Sequence, residues 1–463
     1  MKPPFDIAGD LDTPVSAYAK LAGFKPRFLL ESVEGGERLG RYSFIGFGDA
    51  LEVRLDEQGF TIGTERFAVP GTADELLNGL RRALSRSPRP LPELDTVPLA
   101  GGLVGYTCYD VVRYFERLPK RAAALPHAPP LLHYAAPASL LVFDHLTRAL
   151  ALLHAGSDAE RAALRREVIA CLRGPMPAPA ARAGGYSEPV AALGRDEFIA
   201  GTRRAQEHIA AGDVYQLVLS TRFAGRHDLD PFQAYRALRL VNPSPYMYYC
   251  ELGGLTVVGS SPEALVRLSG THAEMRPIAG TRPRSGEQGL DETRAAELLA
   301  DPKENAEHVM LVDLARNDLG RVACAGSVRV EPYRAIERYS HVMHIVSGVH
   351  GRLATGRDAF DLFAAAFPAG TLVGAPKVRA MEIIVELEPV RRGLYGGTVG
   401  YFGARGAMDQ AITIRTLVFH GDEYSYQAGA GIVADSVPAA EYDEVLAKSA
   451  AAVQALRLAG EGL

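Results

Sequence analysis

Residues 246–268 read YMYYCELGGLTVVGSSPEALVRL, and this stretch decides the fold class. It holds three runs rich in aromatic and β-branched residues, at 246–252, 255–258 and 264–268. Such runs are typical of β-strands, and the loops between them are of hairpin length. A fourth run at 214–223 comes before them, and we expect no crossover helix anywhere in this series. Closely spaced strands of this kind predict antiparallel sheet.

Helices and further strands surround these predicted hairpins. Segments in which apolar residues recur at helical spacing lie at 72–85, 158–173, 196–211, 302–314, 358–365, 376–387 and 438–457. Short β-like runs in the first half of the chain lie at 41–47, 51–55, 100–106 and 140–143. Because strands and helices do not alternate regularly, we predict an α+β fold in which large antiparallel β-sheets pack together and are covered by helices.

A segment rich in proline, glycine and alanine divides the chain into two regions. It spans 174–189 and reads GPMPAPAARAGGYSEP. This composition is typical of a linker or an exposed loop. We therefore predict an N-terminal region over 1–173 and a second region over 190–463.

The composition excludes several classes of protein. The 463 residues include 50 Lys and Arg against 55 Asp and Glu, so the formal net charge is only −5. This balance lacks the basic footprint of a nucleic-acid-binding protein. The four cysteines form no C-x-x-C pair, no apolar run is long enough to span a membrane, and the N-terminus lacks the pattern of a secretory signal. We expect a cytoplasmic globular protein that binds neither nucleic acid nor membrane.

Two predicted helices each carry a pair of glutamates three residues apart. The pairs are Glu304 with Glu307 and Glu441 with Glu444, and this spacing puts both carboxylates of a pair on one helix face. If the two helices meet, their oxygens suit a loosely held Mg²⁺, with positions left for water and an anionic substrate. The alternative is structural, because Asp301 resembles a helix cap and acidic residues stabilise a first helical turn.

Glycine, histidine and lysine residues in the second half are further candidates. The segment AGAGIV at 428–433 allows the backbone at Gly429 and Gly431 to approach a carboxylate closely, although a tight turn explains it equally well. His344 lies on a predicted strand among valines, where a histidine is more often a satisfied core residue than a catalyst. Lys448 can neutralise a substrate carboxylate or pair with a glutamate of its own helix.

Long segments of the chain resemble enzymes that use chorismate, and the resemblance is closest to the large subunits of anthranilate synthase. In the first half the matching segments are FLLESVEGGERLGRYSFIG from Phe28, GGLVGYTCYDVVRYFERLP from Gly101 and SLLVFDH from Ser139. In the second half they are GDVYQLVLSTRF from Gly212, NPSPYMYY from Asn242, GSSPEALVRL from Gly259, RPIAGTRPR from Arg276, DPKENAEHVMLVDLARNDLGRV from Asp301, GAPKVRAMEII from Gly374, YGGTVGYFG from Tyr395 and QAGAGIVADS from Gln427. The resemblance covers nearly the whole chain and implies the α/β sandwich of that family.

The resemblance also implies roles for particular residues of this sequence. It implies that Glu307 and Glu444 bind Mg²⁺, with Glu304 and Glu441 beside them. The residues that it places around chorismate are Gly280, Thr281, Tyr395, Arg415, Gly429, Ala430, Gly431 and Lys448. The catalytic groups that it implies are His344 beside the enolpyruvyl group, Thr371 nearby and Glu304 as an acid–base glutamate.

The activity implied by the resemblance is that of a Mg²⁺-dependent lyase, which converts chorismate and ammonia to anthranilate and pyruvate in the first step of tryptophan biosynthesis. The ammonia would come from glutamine through a separate glutamine amidotransferase subunit. Tryptophan would inhibit the enzyme by binding at Ser32, Pro245, Tyr246 and Met247. Two alternatives stay open, an aminodeoxychorismate synthase component of the folate pathway and a non-catalytic module that binds chorismate or tryptophan. Ala279 argues against the first alternative, since those relatives carry lysine at this position.

Overall fold

The structure is a computed structural model that describes residues 4–33, 40–119, 128–177, 184–338 and 342–463. The α-helices of these ranges are α1 (Pro14–Lys20), α2 (Ala73–Ser85), α3 (Asp158–Arg173), α4 (Arg195–Ala210), α5 (Pro231–Val241), α6 (Gln288–Ala300), α7 (Pro302–Gly320), α8 (Ala359–Ala366), α9 (Lys377–Leu387) and α10 (Pro438–Glu461). Short 3₁₀ helices lie at Ala22–Phe24, Tyr109–Tyr114 and Gly370–Leu372. Among the helices in these ranges, none is both long and apolar enough to cross a bilayer.

The β-strands of the described ranges are between 2 and 15 residues long. In chain order they are β1 (Ile7–Ala8), β2 (Pro26–Glu31), β3 (Tyr42–Asp56), β4 (Gly59–Ile62), β5 (Glu65–Phe67), β6 (Gly102–Thr107), β7 (Leu132–Asp144), β8 (Ala149–His154), β9 (Val190–Ala191), β10 (Gln216–Arg226), β11 (Tyr246–Leu252), β12 (Leu255–Ser261), β13 (Ala264–Ser269), β14 (His272–Met275), β15 (Ile278–Pro283), β16 (Arg329–Val330), β17 (Ala335–Arg338), β18 (Val342–Val346), β19 (Val349–Arg352), β20 (Gly374–Ala375), β21 (Thr398–Gly403), β22 (Met408–Ile412), β23 (Thr416–His420) and β24 (Glu423–Ile432).

Antiparallel pairing joins most of these strands into one very large sheet. In the part of the chain that the structure describes, 21 strands belong to this sheet, and β15, β17 and β18 form a separate three-stranded sheet. The hairpins β11–β12, β13–β14 and β23–β24 are antiparallel, as is the pairing of the distant strands β10 and β24. The predicted α+β class, with large antiparallel sheets covered by helices, is confirmed.

The first hairpin of the stretch at 246–268 folds as its pattern predicts. β11 and β12 pair with Leu252 opposite Leu255. Gly253 and Gly254 form the two-residue turn, and their φ angles are 59° and 85°. A type I′ hairpin turn requires positive φ at both central positions, which glycine adopts without strain.

A helix interrupts the strand series where none was expected. α5 lies between β10 and β11, so the prediction of unbroken hairpin connections from 214 to 268 was wrong on this point. The side chain of Asp230 caps this helix by accepting a hydrogen bond from the Phe232 amide, and Pro231 takes the first helical position. These are ordinary signals of a helix start, but the strand-like runs on either side concealed them.

Strands from the two halves of the chain lie side by side in the large sheet. β2 pairs with β11 and β6 pairs with β21, and buried side chains from both halves pack in one core. α3 ends at Arg173 and β9 begins at Val190. The predicted linker at 174–189 therefore falls between elements, although residues 178–183 lie outside the described ranges. The division into two regions at this linker stays a prediction.

Three elements position the candidate site, namely α7, α10 and β24. α10 packs against α4, α5 and β24, whereas α7 packs against β15, β19 and α8. β24 lies between β10 and β23 in the sheet. Side chains directly opposite each other on β10 and β24 point to the same face.

Candidate active site

The first acidic pair lies on the first two turns of α7. Asp301 caps the helix by accepting hydrogen bonds from the backbone amides of Lys303 at 3.0 Å and Glu304 at 3.2 Å. Pro302 takes the first helical position. The structural interpretation of these residues is therefore correct, and it does not exclude the chemical one. The side chains of Glu304 and Glu307 share one helix face and are partly buried.

Each glutamate of this pair has a polar partner from a strand. Arg282 of β15 forms an ion pair with Glu304 at 3.2 Å. The side-chain amide of Gln216, at the start of β10, donates to Glu307 at 3.4 Å. Gly280 also lies against the first of these carboxylates, because an added Cβ there would lie 2.9 Å from Oε2 of Glu304. The acidic face of α7 thus points toward β10 and β15.

The second acidic pair lies on the first two turns of α10. Glu444 forms an ion pair with Lys448 at 2.7 Å, and both side chains are about half exposed. The Lys448 ammonium also donates to the Gly429 carbonyl of β24 at 3.0 Å. Glu441 lies three residues before Glu444, in the first helical turn. Lys448 therefore pairs with its own helix and also reaches β24.

The glycines at 429 and 431 lie within a continuous strand. The sequence allowed a tight turn here, but β24 runs unbroken through both positions. An added Cβ on Gly429 would lie 2.7 Å from the Tyr395 hydroxyl oxygen, and one on Gly431 would lie 2.6 Å from the Gln216 amide nitrogen. Gly429 has no room for a side chain, because an added Cβ would also lie 2.8 Å from the Leu219 carbonyl oxygen. At Gly431 only the flexible end of Gln216 stands in the way, and it can shift. Ala430 points to the opposite face, so it can offer only its backbone to a ligand on this side.

α10 packs on β24 directly, whereas α7 approaches this strand through Gln216 of β10. Gln216 contacts both Glu307 of α7 and Gly431, and Lys448 links α10 to Gly429. Residues two apart on a strand share one face and are separated by about 7 Å. That the two helices face a common pocket stays a prediction.

The donor set at this strip has the chemistry that Mg²⁺ prefers. The described residues include no group of three or more His, Cys, Asp or Glu side chains already placed to hold a metal ion. Instead, Glu304, Glu307 and Glu444 each have a nitrogen donor as a partner. Carboxylate oxygens are hard ligands, and Mg²⁺ is commonly held by one or two of them while water and substrate complete its shell. The residues fit such a site, and magnesium binding stays a prediction.

His344 faces the strand that carries Gly280 and Thr281. Its Nδ1 atom donates to the Gly280 carbonyl at 2.9 Å and lies 3.1 Å from the Thr281 hydroxyl. Because a carbonyl oxygen only accepts, Nδ1 carries the hydrogen, and Nε2 is the basic nitrogen of the neutral ring. The buried side chains of β18 include Met343 and Ile345. His344 therefore lies on the other face of its strand and is not a core histidine.

Thr371 and Arg415 lie near a carboxyl group that the sequence did not single out. Burial raises the pKa of Glu263 to about 7, although the Thr371 hydroxyl and the Arg415 guanidinium pull this pKa down. Glu263 and Thr371 line one cavity together with Arg276. Arg415 has a left-handed backbone with a φ of 49°, and such conformations in non-glycine residues concentrate at functional sites. A carboxyl group with this pKa can hold or release a proton near neutral pH.

Glu263 and Gln216 are functional candidates that sequence reasoning missed. Glu263 stands in SPEALV at 261–266, and its environment is formed by residues from distant segments, which no local pattern reveals. Gln216 stands in YQLVLS at 215–220, where it precedes an apolar run. The sequence signal for Gln216 was a polar side chain at the start of a strand that is expected to be buried.

The residues predicted to bind tryptophan come from two segments that lie side by side. β2 and β11 pair with Glu31 opposite Met247, so Ser32 follows on toward Tyr246 and Pro245. The side chain of Met247 is buried in the core, and alternation along the strand turns Tyr246 to the other face. The structure thus brings the four predicted residues together, and their ligand stays a prediction.

Comparison with known proteins extends this description beyond the chain itself. The sequence profile of chorismate binding enzymes matches residues 25–454. The chain belongs to the chorismate-binding enzyme family. Within this family it is 48% identical to anthranilate synthase component 1 of Thermus thermophilus, over 98% of this chain and 97% of the relative. Anthranilate synthase component 1 of Streptomyces coelicolor is 46% identical, over 98% of this chain and 88% of the relative.

A solved structure from the same chorismate-binding family has the same overall fold. The crystal structure of anthranilate synthase component I from Streptococcus pneumoniae matches with a TM-score of 0.80 at 32% identity. The match covers 96% of this chain and 98% of that chain. The fold implied by the resemblance is therefore confirmed over nearly the full length.

Proposed function

We propose that this chain is the large subunit of an anthranilate synthase, which converts chorismate and ammonia to anthranilate and pyruvate in the first step of tryptophan biosynthesis. One observation carries the proposal. Lys448 of α10 contacts Gly429 of β24, and Glu307 of α7 contacts Gln216, which lies at Gly431 of the same strand. The chain is 48% identical over 98% of its length to an anthranilate synthase component 1. A module that only binds its ligand has no need of the four helix glutamates and Lys448.

Chorismate is a dianion, so its site must supply positive charge or hydrogen bonds to two carboxylates. We assign the carboxylate of the enolpyruvyl group to Arg415 and Lys448. The Tyr395 hydroxyl and the backbone at Gly429 and Gly431 add hydrogen-bonding groups beside them. These residues orient the substrate and exclude water, and they form no covalent bond with it.

The ring carboxylate requires a cation in front of the helix glutamates. We assign Mg²⁺ binding to Glu307 and Glu444, with Glu304 and Glu441 beside them. When bound, the ion supplies Lewis acidity to the ring carboxylate and offsets the repulsion between substrate and glutamates. Glu444 must exchange its contact with Lys448 for the ion, and this exchange leaves the lysine ammonium available to the substrate.

Proton transfers are assigned to Glu263 and His344. Departure of the C4 hydroxyl as water needs a proton donor, and a carboxyl group with a pKa of about 7 is substantially protonated at neutral pH. We assign this role to Glu263 rather than to Glu304, with Thr371 orienting the carboxyl group. His344 assists the later loss of pyruvate, in which its basic Nε2 accepts the C2 proton.

Anthranilate formation tests the proposal directly. The purified chain is incubated with chorismate, ammonium and Mg²⁺, and we expect fluorescent anthranilate together with an equal amount of pyruvate. Absence of both products would refute the proposal. A non-fluorescent amino product without pyruvate would support aminodeoxychorismate synthesis instead, and binding of chorismate without turnover would support a binding module.

A separate glutamine amidotransferase is the proposed source of ammonia in the cytoplasm. The name component 1 of the relatives points to an enzyme with a further component. With glutamine in place of ammonium, we therefore expect the purified chain alone to be inactive. Addition of a glutamine amidotransferase subunit of an anthranilate synthase should restore activity, and activity with glutamine alone would contradict this assignment.

Feedback inhibition by tryptophan is assigned to the end of the β2–β11 pairing, where Ser32 lies next to Tyr246. Ser32→Ala removes a hydroxyl that can bond the amino acid, and loss of one such bond weakens binding by about tenfold. We expect the tryptophan concentration for half inhibition to rise by this factor while the rate without tryptophan stays unchanged. Unchanged inhibition in this variant would contradict the placement of the tryptophan site beside Ser32.

A further inference from the structure

A buried ion pair lies directly behind the candidate chorismate site. Arg392 donates two hydrogen bonds to Glu388, through Nε at 2.9 Å and Nη2 at 2.7 Å. Both side chains are almost completely buried, with exposed fractions of 1% and 4%. Desolvating two charges is costly, and replacing such a pair with apolar residues is often neutral or stabilising. Stability alone is therefore a weak explanation for this pair.

The pair connects segments that carry candidate site residues. Arg392 also donates to the carbonyl of Leu372, next to Thr371, at 2.6 Å and to the carbonyl of Val218 at 2.8 Å. Its partner Glu388 accepts hydrogen bonds from the amide and the hydroxyl of Ser220 at 2.9 and 2.7 Å. The planar guanidinium is thus fixed in one orientation by four hydrogen bonds.

The guanidinium of Arg392 contacts two tyrosine rings. Its carbon atom lies 5.0 Å from the ring centre of Tyr109 and 5.5 Å from that of Tyr395. Tyr109 comes from the N-terminal region, and its amide donates to the Gly393 carbonyl at 2.7 Å. Both distances are within the range of cation–π attraction. The orientation of Arg392 therefore bears on the orientation of Tyr395.

Glycines flank Tyr395 in the segment that carries it. Residues 393–397 read GLYGG, and Gly393 and Gly396 both have positive φ, at 58° and 71°. Glycine adds conformational freedom on each side of the tyrosine. The Tyr395 hydroxyl nevertheless has to stay at Gly429, where an added Cβ would lie 2.7 Å from it. The contact with the Arg392 guanidinium acts on the ring in addition to the backbone hydrogen bonds of this segment, such as that from the Tyr395 amide to the Arg392 carbonyl at 3.2 Å.

We propose that Arg392 is a positioning residue for the chorismate site, which holds the Tyr395 ring against Gly429 while Glu388 and Tyr109 hold Arg392 itself. The inference rests on the proposed function, because it assigns Tyr395 to the wall that binds chorismate. It adds that the N-terminal region, through Tyr109, helps to shape the substrate site.

Two variants test this arrangement. Arg392→Lys keeps the charge but loses the planar fork, so it cannot make the four hydrogen bonds together. Tyr109→Leu removes one of the two rings beside the guanidinium. We expect the KM for chorismate in the ammonia-dependent reaction to rise about tenfold in each variant. We expect kcat to fall by less than threefold, because a misplaced binding group weakens uniform binding of substrate and transition state.

Two further variants separate positioning from stability. Tyr109→Phe keeps the ring and removes a buried hydroxyl that has no hydrogen-bond partner among the described residues, so KM should stay within twofold of wild type. Lys20→Met breaks the largely buried ion pair with Asp12, which lies at 2.8 Å in the N-terminal region. It should lower Tm and leave KM unchanged.

The outcomes are distinguishable from a failure of the proposed function. A wild-type chain that forms no anthranilate refutes the function. An active wild type, together with a KM that stays within twofold in both Arg392→Lys and Tyr109→Leu, overturns the positioning role. If Arg392→Lys does not fold, the contrast between Tyr109→Leu and Tyr109→Phe decides, and equal KM values in those two variants overturn it.

Discussion

Two kinds of carboxyl group border the candidate site, and their surroundings differ. Glu444 is about half exposed, and it pairs with Lys448 at 2.7 Å. Glu263 instead lines a cavity, where burial raises its pKa to about 7. A carboxylate that already pairs with an ammonium can exchange that partner for another cation, whereas a buried carboxyl group favours its protonated form. Under the proposed function, one residue type would therefore bind the cation in one place and transfer a proton in the other.

The largest expected effect on activity comes from removing the charge of a glutamate on an acidic helix. Glu307→Gln keeps the shape of the side chain but loses the negative charge that a cation needs. We expect anthranilate formation to be abolished at limiting Mg²⁺, and we expect only part of the rate to return at high Mg²⁺. The measurement is the initial rate of anthranilate fluorescence against Mg²⁺ concentration.

The matched control for this change is Glu292→Gln on α6. Its carboxylate is exposed and accepts a hydrogen bond from the neighbouring Gln288 at 3.1 Å. Its rate and Mg²⁺ dependence should equal those of wild type. Wild-type rates in Glu307→Gln at limiting Mg²⁺ would contradict the proposal that the helix glutamates bind the metal ion.

A smaller effect on activity is expected when Glu263 is replaced. Glu263→Gln cannot donate a carboxylic proton, so kcat should fall about a hundredfold while the Mg²⁺ dependence stays that of wild type. The wild-type kcat should decline as pH rises through about 7, because the acid loses its proton there. The variant should lack this decline. A pH profile of kcat from 5.5 to about 8.5 checks both statements.

One result with Glu263→Gln would contradict the assignment of proton donation to this residue. A variant that retains the wild-type decline above pH 7 would show that another group donates the proton. Glu263→Asp is the conservative comparison, since it keeps a carboxyl group on a shorter side chain. Partial rescue of kcat by Asp, with none by Gln, would support proton donation over simple packing.

The smallest effect concerns stability against pH. The pKa of Glu263 is raised from 4.5 to about 7 in the folded chain, so the folded state binds this proton more tightly than the unfolded state does. Its contribution to the free energy of unfolding is complete below pH 4.5 and is lost as pH rises through 7. Gln is neutral at all pH values and avoids this loss.

Thermal unfolding measures this difference. Between pH 5 and pH 8, we expect the Tm of Glu263→Gln minus that of wild type to increase by on the order of 2 °C. Groups other than residue 263 titrate in both proteins and cancel in the difference. A difference that is constant with pH would show that the Glu263 pKa is not raised in the folded chain.

Much of the fold was predictable from local sequence patterns. α3 has the predicted bounds of 158–173, and α7 begins at Pro302, after the Asp301 cap, as predicted. α7 continues to Gly320, beyond the predicted end at 314, because packing against β15 and β19 stabilises further turns. α1, α5 and α6 were missed. For α5 the reason is that an 11-residue helix beside strong strand patterns gives little periodicity to detect.

The candidate site was predictable only in part. The Glu-x-x-Glu spacing identified the acidic helix faces, but their approach to β24 depends on Gln216 and Lys448 acting across elements. The sequence alone is compatible with a turn at Gly429, and only the structure shows that the Tyr395 hydroxyl lies against this residue. The raised pKa of Glu263 results from burial by residues far along the chain. Such tertiary contacts cannot be recognised from the residue type at a single position of one sequence.

The sharing of one sheet by both halves of the chain has a consequence for synthesis on the ribosome. β6 pairs with β21, whose residues follow about 290 positions later. At about 5–20 residues per second, the nascent β6 waits roughly 15–60 seconds for this partner. Until then, its backbone amides and carbonyls form an open edge to which foreign strands can add. The emerging polypeptide is therefore expected to depend on chaperone protection until its last quarter has been translated.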